Sequence, residues 1–202
     1  VILTDSKEAA EKLKFKAQKY LKDTLKLELS VEKTLITNVR TKPVKFLGFE
    51  IAMRKQNGIW VNKVRPDRKQ LEAKLDNLKR EIFLLRKTSS ADTNRIVEGI
   101  NRINSKIVGL VNYYNTADQI SVDLRRPAWT LKYTAYKSLK KFGGKWVRAS
   151  QVANQIGYNS GHKAHIPAIR YKDMWIGITD LNFAKWVAKS PKNQLETPFT
   201  DA

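Results

Sequence analysis

Residues 101–118, NRINSKIVGLVNYYNTAD, place side-chain amides beside aromatic rings and basic side chains. The amides and rings belong to Asn101, Asn104, Asn112, Asn115, Tyr113 and Tyr114. Amides can hydrogen-bond to the edges of unpaired RNA bases, and aromatic rings can stack on base faces. The segment therefore favours RNA recognition, although hydrogen bonding within a helix bundle is the simpler account of any single Asn.

No arrangement typical of a self-contained catalytic site accompanies this segment. His162 and His165 are three residues apart, but Gly161 and Pro167 beside them favour a loop. Neither Cys nor an acidic cluster lies nearby in sequence to complete a metal shell. A phosphate-binding loop, a G-x-S-x-G motif and a D-x-D pair are also missing. We therefore predict no metal site and no stand-alone active site.

The charge of the chain indicates a polyanionic partner. Lys and Arg number 39 against 19 Asp and Glu, which gives a formal charge of +20 and an isoelectric point near 10.1. Residues 65–143 alone carry 17 basic and 8 acidic side chains. Because there is no block of consecutive like charges, we expect the basic residues on folded faces. Charge that serves solubility alone is the alternative, but strongly positive chains also bind nucleic acid nonspecifically.

The remaining composition is that of a folded, soluble protein. At 202 residues and 42% hydrophobic content, the chain is long enough for one or two small globular units. No apolar run approaches the roughly 18 residues of a membrane span, and no secretory leader is visible. Cys is absent, which suits a reducing compartment. We expect a cytoplasmic protein, without distinguishing a bacterial cytoplasm from an organellar matrix.

Residues 1–64 predict one helix followed by three short strands. Apolar residues recur at helical spacing from Ala9 to Leu25, with Asp5 or Ser6 as the N-cap. Alternation from Leu25 to Val31 then predicts extended structure. The segments KPVKFLGFEIAM and GIWVNKV continue as strands, divided by a turn at Asn57 and Gly58. So few strands cannot close a core alone.

The rest of the chain predicts three helices and a less regular end. Leu and Ile recur every three or four residues in 71–85, 96–110 and 124–139, and the last helix stops at Gly143. Short connections make an antiparallel three-helix bundle the economical architecture. In residues 145–202 we expect a short helix plus loop, an aromatic segment that is strand or helix, and a linker-like tail. The predicted fold class is α+β.

Four segments in order resemble one known family. VILTDS before a Lys-rich helix, then LKLELSVEKTLIT, KFLGFEI and IVGLVNYYNTA, resemble the C-terminal half of group II intron reverse transcriptase/maturases. The resemblance covers residues 1–143 and extends by implication to the whole chain. It implies a reverse-transcriptase palm remnant in 1–64, a thumb or domain X helical bundle in 65–143, and a C-terminal maturase segment and linker in 144–202.

The resemblance also implies roles for residues near the palm. In the family, the strand turn with the Tyr-Ala-Asp-Asp box, whose aspartates bind two catalytic Mg²⁺ ions, comes directly before the equivalent of VILTDS. We therefore expect no cofactor in this chain, Mg²⁺ in the parent enzyme, and no polymerisation by this chain alone. Lys33 matches a lysine that can act as general acid on the leaving pyrophosphate. Phe46, Leu47, Gly48 and Phe49 match the primer-grip turn.

The thumb-like residues supply candidate RNA contacts. Arg95 and Arg102 are seven residues apart, which is two helical turns, so they point the same way. Of Tyr113 and Tyr114, at least one ring is expected in the core. The full set of RNA-contact candidates is Arg65, Arg68, Lys69, Arg95, Arg102, Asn112, Tyr113, Tyr114, Arg125, Arg126, Lys132, Lys140 and Lys141.

The resulting functional hypothesis is an RNA-binding part of a maturase. Its expected partners are group II intron RNA, an RNA-containing template-primer duplex, and the N-terminal fingers and palm part of the same protein; no membrane is expected. One alternative is a piece of a complete reverse transcriptase whose other piece carries the aspartates. A second alternative is a basic helical scaffold that binds nucleic acid and has no link to introns.

Overall fold

The computed structural model describes residues 2–154 and 164–181. These residues form an α+β protein with four α-helices and two antiparallel three-stranded sheets, as the sequence predicts for the fold class. The chain divides into two compact units, Val1–Val64 and Arg65–Ala202. The further predicted division at residue 144 stays a prediction.

The first unit begins with helix α1, Lys7–Leu25, in the region where the sequence predicts it. Ser6 is the N-cap, and its hydroxyl oxygen accepts a hydrogen bond from the Ala9 amide at 3.1 Å. Lys26 ends the helix in the left-handed conformation, with φ of 54°. Since short polar side chains satisfy the free amides of a first turn, the Ser6 cap defines where α1 starts.

The strand expected from Leu25 to Val31 is absent, and that prediction is wrong. Residues 26–30 have no regular structure and a turn follows at residues 31–33. A strand needs a hydrogen-bonded neighbour, and this segment pairs with none of the three strands of the unit. The alternating pattern alone therefore did not produce a strand.

The sheet of the first unit consists of β1 (Val44–Phe46), β2 (Phe49–Gln56) and β3 (Ile59–Pro66). The segment predicted as one strand folds into a hairpin, with Val44 opposite Ile51. Leu47 and Gly48 form its turn with φ of 45° and 75°. The second turn falls at Asn57 and Gly58, as predicted, again with positive φ at both positions.

The first unit has little core among its described residues. Ala52 is its only buried hydrophobic side chain there. Helix α1 has no buried residue, and Leu13, Phe15 and Tyr20 remain 39%, 69% and 59% exposed. Because most helical stability in proteins comes from packing of an apolar face, α1 is held mainly by local interactions.

The second unit contains the three predicted helices, α2 (Arg68–Leu84), α3 (Thr93–Tyr114) and α4 (Ile120–Leu139). Asp67 and Asp92 cap α2 and α3 by accepting hydrogen bonds from the amides of Gln70 and Arg95 at 3.1 and 3.0 Å. Helix α2 contacts both other helices. The predicted apolar positions are buried, among them Leu75, Leu78, Ile82, Ile96, Ile100, Ile103, Ile107, Leu124, Leu131 and Leu139.

A second sheet completes this unit and takes in the described part of the aromatic segment, for which the sequence left strand and helix open. It contains β4 (Lys145–Arg148), β5 (His165–Tyr171) and β6 (Met174–Gly177). Val147 lies opposite Ile166 in the ladder. The only helical turn between β4 and residue 154 is the 3₁₀ segment Ala149–Gln151. Contacts with α3 and α4 stabilise these short strands, and local pattern does not reveal such contacts.

Part of the C-terminal prediction cannot be compared with the structure. Most of the segment expected to form a short helix plus loop, residues 155–163, and the linker-like tail from residue 190 lie outside the described residues.

The two units should differ in resistance to amide hydrogen exchange. Helices α1 and α3 have similar lengths, 19 and 22 residues, but α3 buries nine residues and α1 none. We expect protection factors in α3 to exceed those in α1 by about a hundredfold or more. Amides of α3 exchange only when the core that buries this helix unfolds, whereas amides of α1 exchange by local fraying. Exchange measured residue by residue by NMR tests this. Equal protection in both helices would contradict the thin core of the first unit.

Candidate nucleic-acid interface

A groove between the end of α2 and the face of α3 brings predicted RNA contacts together. It has a volume of about 400 Å³ and is lined by Arg95, Arg102 and Lys106 on α3 and by Glu81, Leu84, Leu85 and Thr88 on the other side. Arg95 and Arg102 are exposed, and no carboxylate within the described residues forms an ion pair with either. The two arginines therefore lie on one face of α3, as predicted, and this face forms one edge of the groove.

Gly99 forms the floor of this groove between the two arginines. A Cβ added at residue 99 would lie 2.5 Å from Cδ2 of Leu85, which is too close for a real contact. The absence of a side chain therefore lets Leu85 pack directly on α3. Leu85 and Ile103 are buried, so the floor is apolar and its rim carries the charges.

Lys106 belongs to the groove but was not predicted. Its ammonium group forms an ion pair with the Glu81 carboxylate across the groove. It lies four residues after Arg102, on the same helical face, so the spacing used for Arg95 and Arg102 could have found it. Three cations and one carboxylate line the groove, which leaves it positively charged.

The exposed face of α4 carries a second group of predicted cations. Arg125 and Arg126 are exposed in the first half of α4, and Lys140 is exposed just after its end. The same face carries Trp129 and Tyr133, which the sequence interpretation missed. The sequence could have indicated them, because both residues lie outside the apolar stripe of Leu124, Leu131 and Leu139. Large aromatic residues at such positions are not needed for the core.

Two predicted RNA contacts instead hold the fold together. The Lys132 ammonium lies 3.2 Å from the carboxylate of Asp180, whose side chain is fully buried. The Lys141 ammonium donates hydrogen bonds to the carbonyl oxygens of Arg86 and Thr88 at 2.6 and 3.2 Å. Both ammonium groups therefore have structural partners, because a buried charge requires its partner and the last carbonyls of a helix require donors. Their predicted RNA contacts stay predictions.

Arg65 and Arg68 also have carboxylate partners. Nε and Nη2 of Arg65 both donate hydrogen bonds to the Asp123 carboxylate. This ion pair links the start of the second unit to α4. Arg68 donates to Glu72 one turn later at 2.9 Å, and this bond raises the pKa of the Arg68 guanidinium. A phosphate would have to compete with these carboxylates, whereas Lys69 is exposed with no ion pair among the described residues.

The structure distinguishes the two adjacent tyrosines. Tyr114 is fully buried, so its ring cannot stack on a base in this conformation, and its predicted RNA contact is corrected. Burial raises the pKa of the Tyr114 hydroxyl, and nearby Tyr113 and Asp67 raise it further. Tyr113 is 44% exposed, and the Lys74 ammonium lies 4.3 Å from its ring centroid. Asn112 is exposed beside Tyr113.

The asparagines of α3 divide between structural and exposed positions. The buried Asn104 amide donates to the Gly177 carbonyl oxygen at 2.8 Å and accepts from the Thr179 amide at 2.9 Å. Asn101 accepts a hydrogen bond from Asn154 at 2.8 Å. The simpler account of these amides, hydrogen bonding within the fold, therefore holds for Asn101 and Asn104.

The palm-like residues lie in turns of the first unit. Lys33 is exposed in the turn at residues 31–33, and the neighbouring Thr34 carbonyl accepts a hydrogen bond from Lys14 at 2.9 Å. In the hairpin of β1 and β2, Phe46 and Leu47 are exposed while Gly48 is buried. Their predicted roles in polymerisation stay predictions.

Within residues 2–154 and 164–181 there is neither a metal cluster nor a membrane span. No three His, Cys, Asp or Glu residues lie together there in an arrangement that could hold a metal ion. The Mg²⁺ expected for the parent enzyme stays a prediction. His165 is exposed on β5, and His162 lies outside the described residues. No described helix is both long and apolar enough to cross a bilayer.

Comparison with known proteins adds no family assignment. Neither a protein-family model nor a curated protein matches this chain. The maturase hypothesis therefore depends on the four motifs and on the geometry of the helical unit.

Lys132 should contribute to stability as the partner of a buried charge. Lys132→Ala leaves the Asp180 carboxylate without this cation, and we expect the free energy of unfolding to fall by about 3 to 5 kcal/mol. Lys140→Ala removes an exposed cation and should cost less than about 0.5 kcal/mol. Urea denaturation followed by circular dichroism measures both. If the two substitutions had equal effects, the structural role of Lys132 would be wrong.

Tyr114 should make stability fall at alkaline pH. Its folded-state pKa is raised above the ordinary value, so the unfolded chain loses this proton first as the pH rises beyond about 10. Tyr114→Phe should therefore flatten the decline of unfolding free energy between about pH 9 and 11, by at most about 1.4 kcal/mol per pH unit. Tyr113→Phe is the matched control. A decline that Tyr114→Phe leaves unchanged would argue against this assignment.

Proposed function

We propose that this chain is the RNA-binding C-terminal part of a group II intron reverse transcriptase/maturase. In this proposal it binds intron RNA to promote splicing, and it grips the template-primer duplex in the parent RNA-directed DNA polymerase. Its place of action would be a bacterial cytoplasm or an organellar matrix. The support is the ordered set of four sequence motifs together with the basic groove on α3.

The observation that carries the proposal is the pair of exposed arginines on the groove edge. Arg95 and Arg102 are two turns apart on α3, a rise of about 10.5 Å along the helix axis. A guanidinium is a planar fork that can donate two hydrogen bonds to one phosphate. With no ion pair to a described carboxylate, both forks remain available to the backbone of a bound RNA.

The groove suits contact with phosphates better than small-molecule binding. Its charged groups lie on the rim while its floor is apolar, closed by Leu85 against Gly99. An electrostatic contact of this kind follows the shape and charge of an RNA and requires no deep pocket. It also predicts affinity that falls steeply with salt, because each neutralised phosphate releases counterions.

Promotion of splicing by such a chain needs no active site of its own. A protein that binds the folded intron more tightly than unfolded forms shifts the RNA toward its folded state by linkage. Polymerisation would belong to the parent enzyme, with the fingers and palm part as a partner. The exposed apolar side chains of α1 support such a partner for the first unit.

Binding to a folded group II intron RNA and to a duplex of equal length tests the proposal. We expect tighter binding to the intron, and an Arg95→Ala, Arg102→Ala variant should bind both RNAs about tenfold more weakly. Loss of two phosphate contacts should also reduce the salt slope by about 2. Filter binding at a series of salt concentrations measures affinity and slope together.

The matched control removes two other cations. A Lys7→Ala, Lys79→Ala variant has the same net charge, but its lysines lie in exposed ion pairs with Glu11 and Asp76. We expect less than a twofold change for this variant. Equal weakening by both variants would mean that binding depends on the net charge of the chain and not on Arg95 and Arg102. Equal affinity for intron and duplex would favour the basic scaffold with no intron link.

A further inference from the structure

The outer face of α4 exposes two stacked aromatic rings. Trp129 and Tyr133 lie one turn apart, with ring centroids separated by 5.7 Å and planes inclined by only 8°. Their side chains are 69% and 45% exposed, although the opposite face of α4 is fully buried in the core. Rings of this size normally bury most of their surface, so two stacked rings in solvent indicate a surface that binds something flat.

Cations surround these rings on the same face. Arg125 and Arg126 lie three or four residues before Trp129, and Lys137 lies one turn after Tyr133, its ammonium 4.6 Å from the Tyr133 ring centroid. Lys140 follows two turns after Tyr133. No described carboxylate forms an ion pair with any of these four cations. The face therefore combines aromatic surface with uncompensated positive charge.

The aromatic surface continues from α4 onto the second sheet. Tyr136 stacks on Trp146 of β4, with centroids 4.7 Å apart and planes inclined by 18°. Trp146 in turn lines a cleft of about 320 Å³ together with Trp175, His165, Lys145 and Arg148. The Arg170 guanidinium lies 5.5 Å from the Trp175 ring centroid. We call the surface from Trp129 through Tyr133 and Tyr136 to Trp146 and Trp175 the aromatic track.

The interleaving of rings and cations decides which occupant fits. A membrane-surface helix keeps its cations on the polar face and its rings on the apolar face, which enters the lipid. Here rings and cations share one face, and the apolar face of α4 is inside the protein. An unpaired polynucleotide strand has the complementary pattern, since flat bases and negative phosphates alternate along it.

We propose that the aromatic track binds an unpaired polynucleotide strand, with bases stacked on Trp129 and Tyr133 and phosphates held by Arg125, Arg126 and Lys137. The cleft lined by Trp146 and Trp175 receives a further base of the same strand. This inference rests on the proposed function in taking RNA as the natural ligand. The aromatic track would be a second site, for unpaired nucleotides, whereas the groove on α3 would contact the backbone of a duplex.

The test compares single-stranded and paired RNA with the whole chain. Fluorescence anisotropy would measure binding of a labelled 15-nucleotide oligouridine and of a hairpin with an equal number of phosphates. We expect Trp129→Ala, Tyr133→Ala to weaken single-strand binding about tenfold or more and hairpin binding less than twofold. Trp129→Phe, Tyr133→Phe keeps flat rings and should retain most of the affinity. Unchanged thermal melting would confirm that each variant is folded.

The control variant should give the opposite pattern. Arg95→Ala, Arg102→Ala removes the groove cations and should weaken hairpin binding more than single-strand binding. A single-stranded DNA of matched sequence distinguishes the two sources of an unpaired strand: tighter RNA binding assigns the track to RNA, and equal binding assigns it to both.

Three outcomes would overturn the inference. The first is an unchanged single-strand affinity in the Trp129→Ala, Tyr133→Ala variant, and the second is an equal loss for hairpin and single strand. The third is a dimer of the unmodified chain in sedimentation that this variant abolishes, which would assign the face to a second copy. The proposed function survives all three if intron binding through Arg95 and Arg102 persists. If the chain bound no RNA at all, both this inference and the proposed function would be overturned.

Discussion

The side chain of Asn104 joins the sheet of the second unit to its helices, and the candidate RNA surfaces depend on this junction. Its amide donates to the Gly177 carbonyl oxygen and accepts from the Thr179 amide, at the end of β6. These groups are buried, so leaving them unpaired would be costly. The Asp180 carboxylate beside them is held by Lys132 from α4. Together these contacts connect α3 and α4 to the end of β6.

This junction shows that the number of basic residues is larger than the number of candidate RNA contacts. Some cations are committed to the fold: Lys132 balances a buried carboxylate, and Lys141 supplies donors to the carbonyls that follow α2. Others, such as Arg95, Arg102, Arg125 and Arg126, stand on rigid helices without a described carboxylate partner. A cation presented in this way needs little reorganisation to meet a phosphate, which favours both affinity and rate of association.

The two units contribute differently to this picture. The second unit buries many apolar side chains, so its surfaces can act as preformed binding sites. The first unit buries one hydrophobic side chain among its described residues and leaves the apolar residues of α1 in solvent. Its turns carry the palm-like residues, and we propose that a partner covers α1. In the proposed parent enzyme, that partner would be the fingers and palm part.

The sequence by itself determined the helices and their buried stripes, because these follow from periodicity. It also limited the N-cap of α1 to Asp5 or Ser6. It also placed Arg95 and Arg102 on one face and the turn at Asn57 and Gly58. Only the tertiary structure decided that Leu25–Val31 would form no strand, that β4, β5 and β6 would form a sheet, and that Tyr114 rather than Tyr113 would be buried. It also decided which lysines meet carboxylates or carbonyls from distant segments. Strand pairing, burial and ion pairing join residues far apart in sequence, and a local pattern contains no information about those partners.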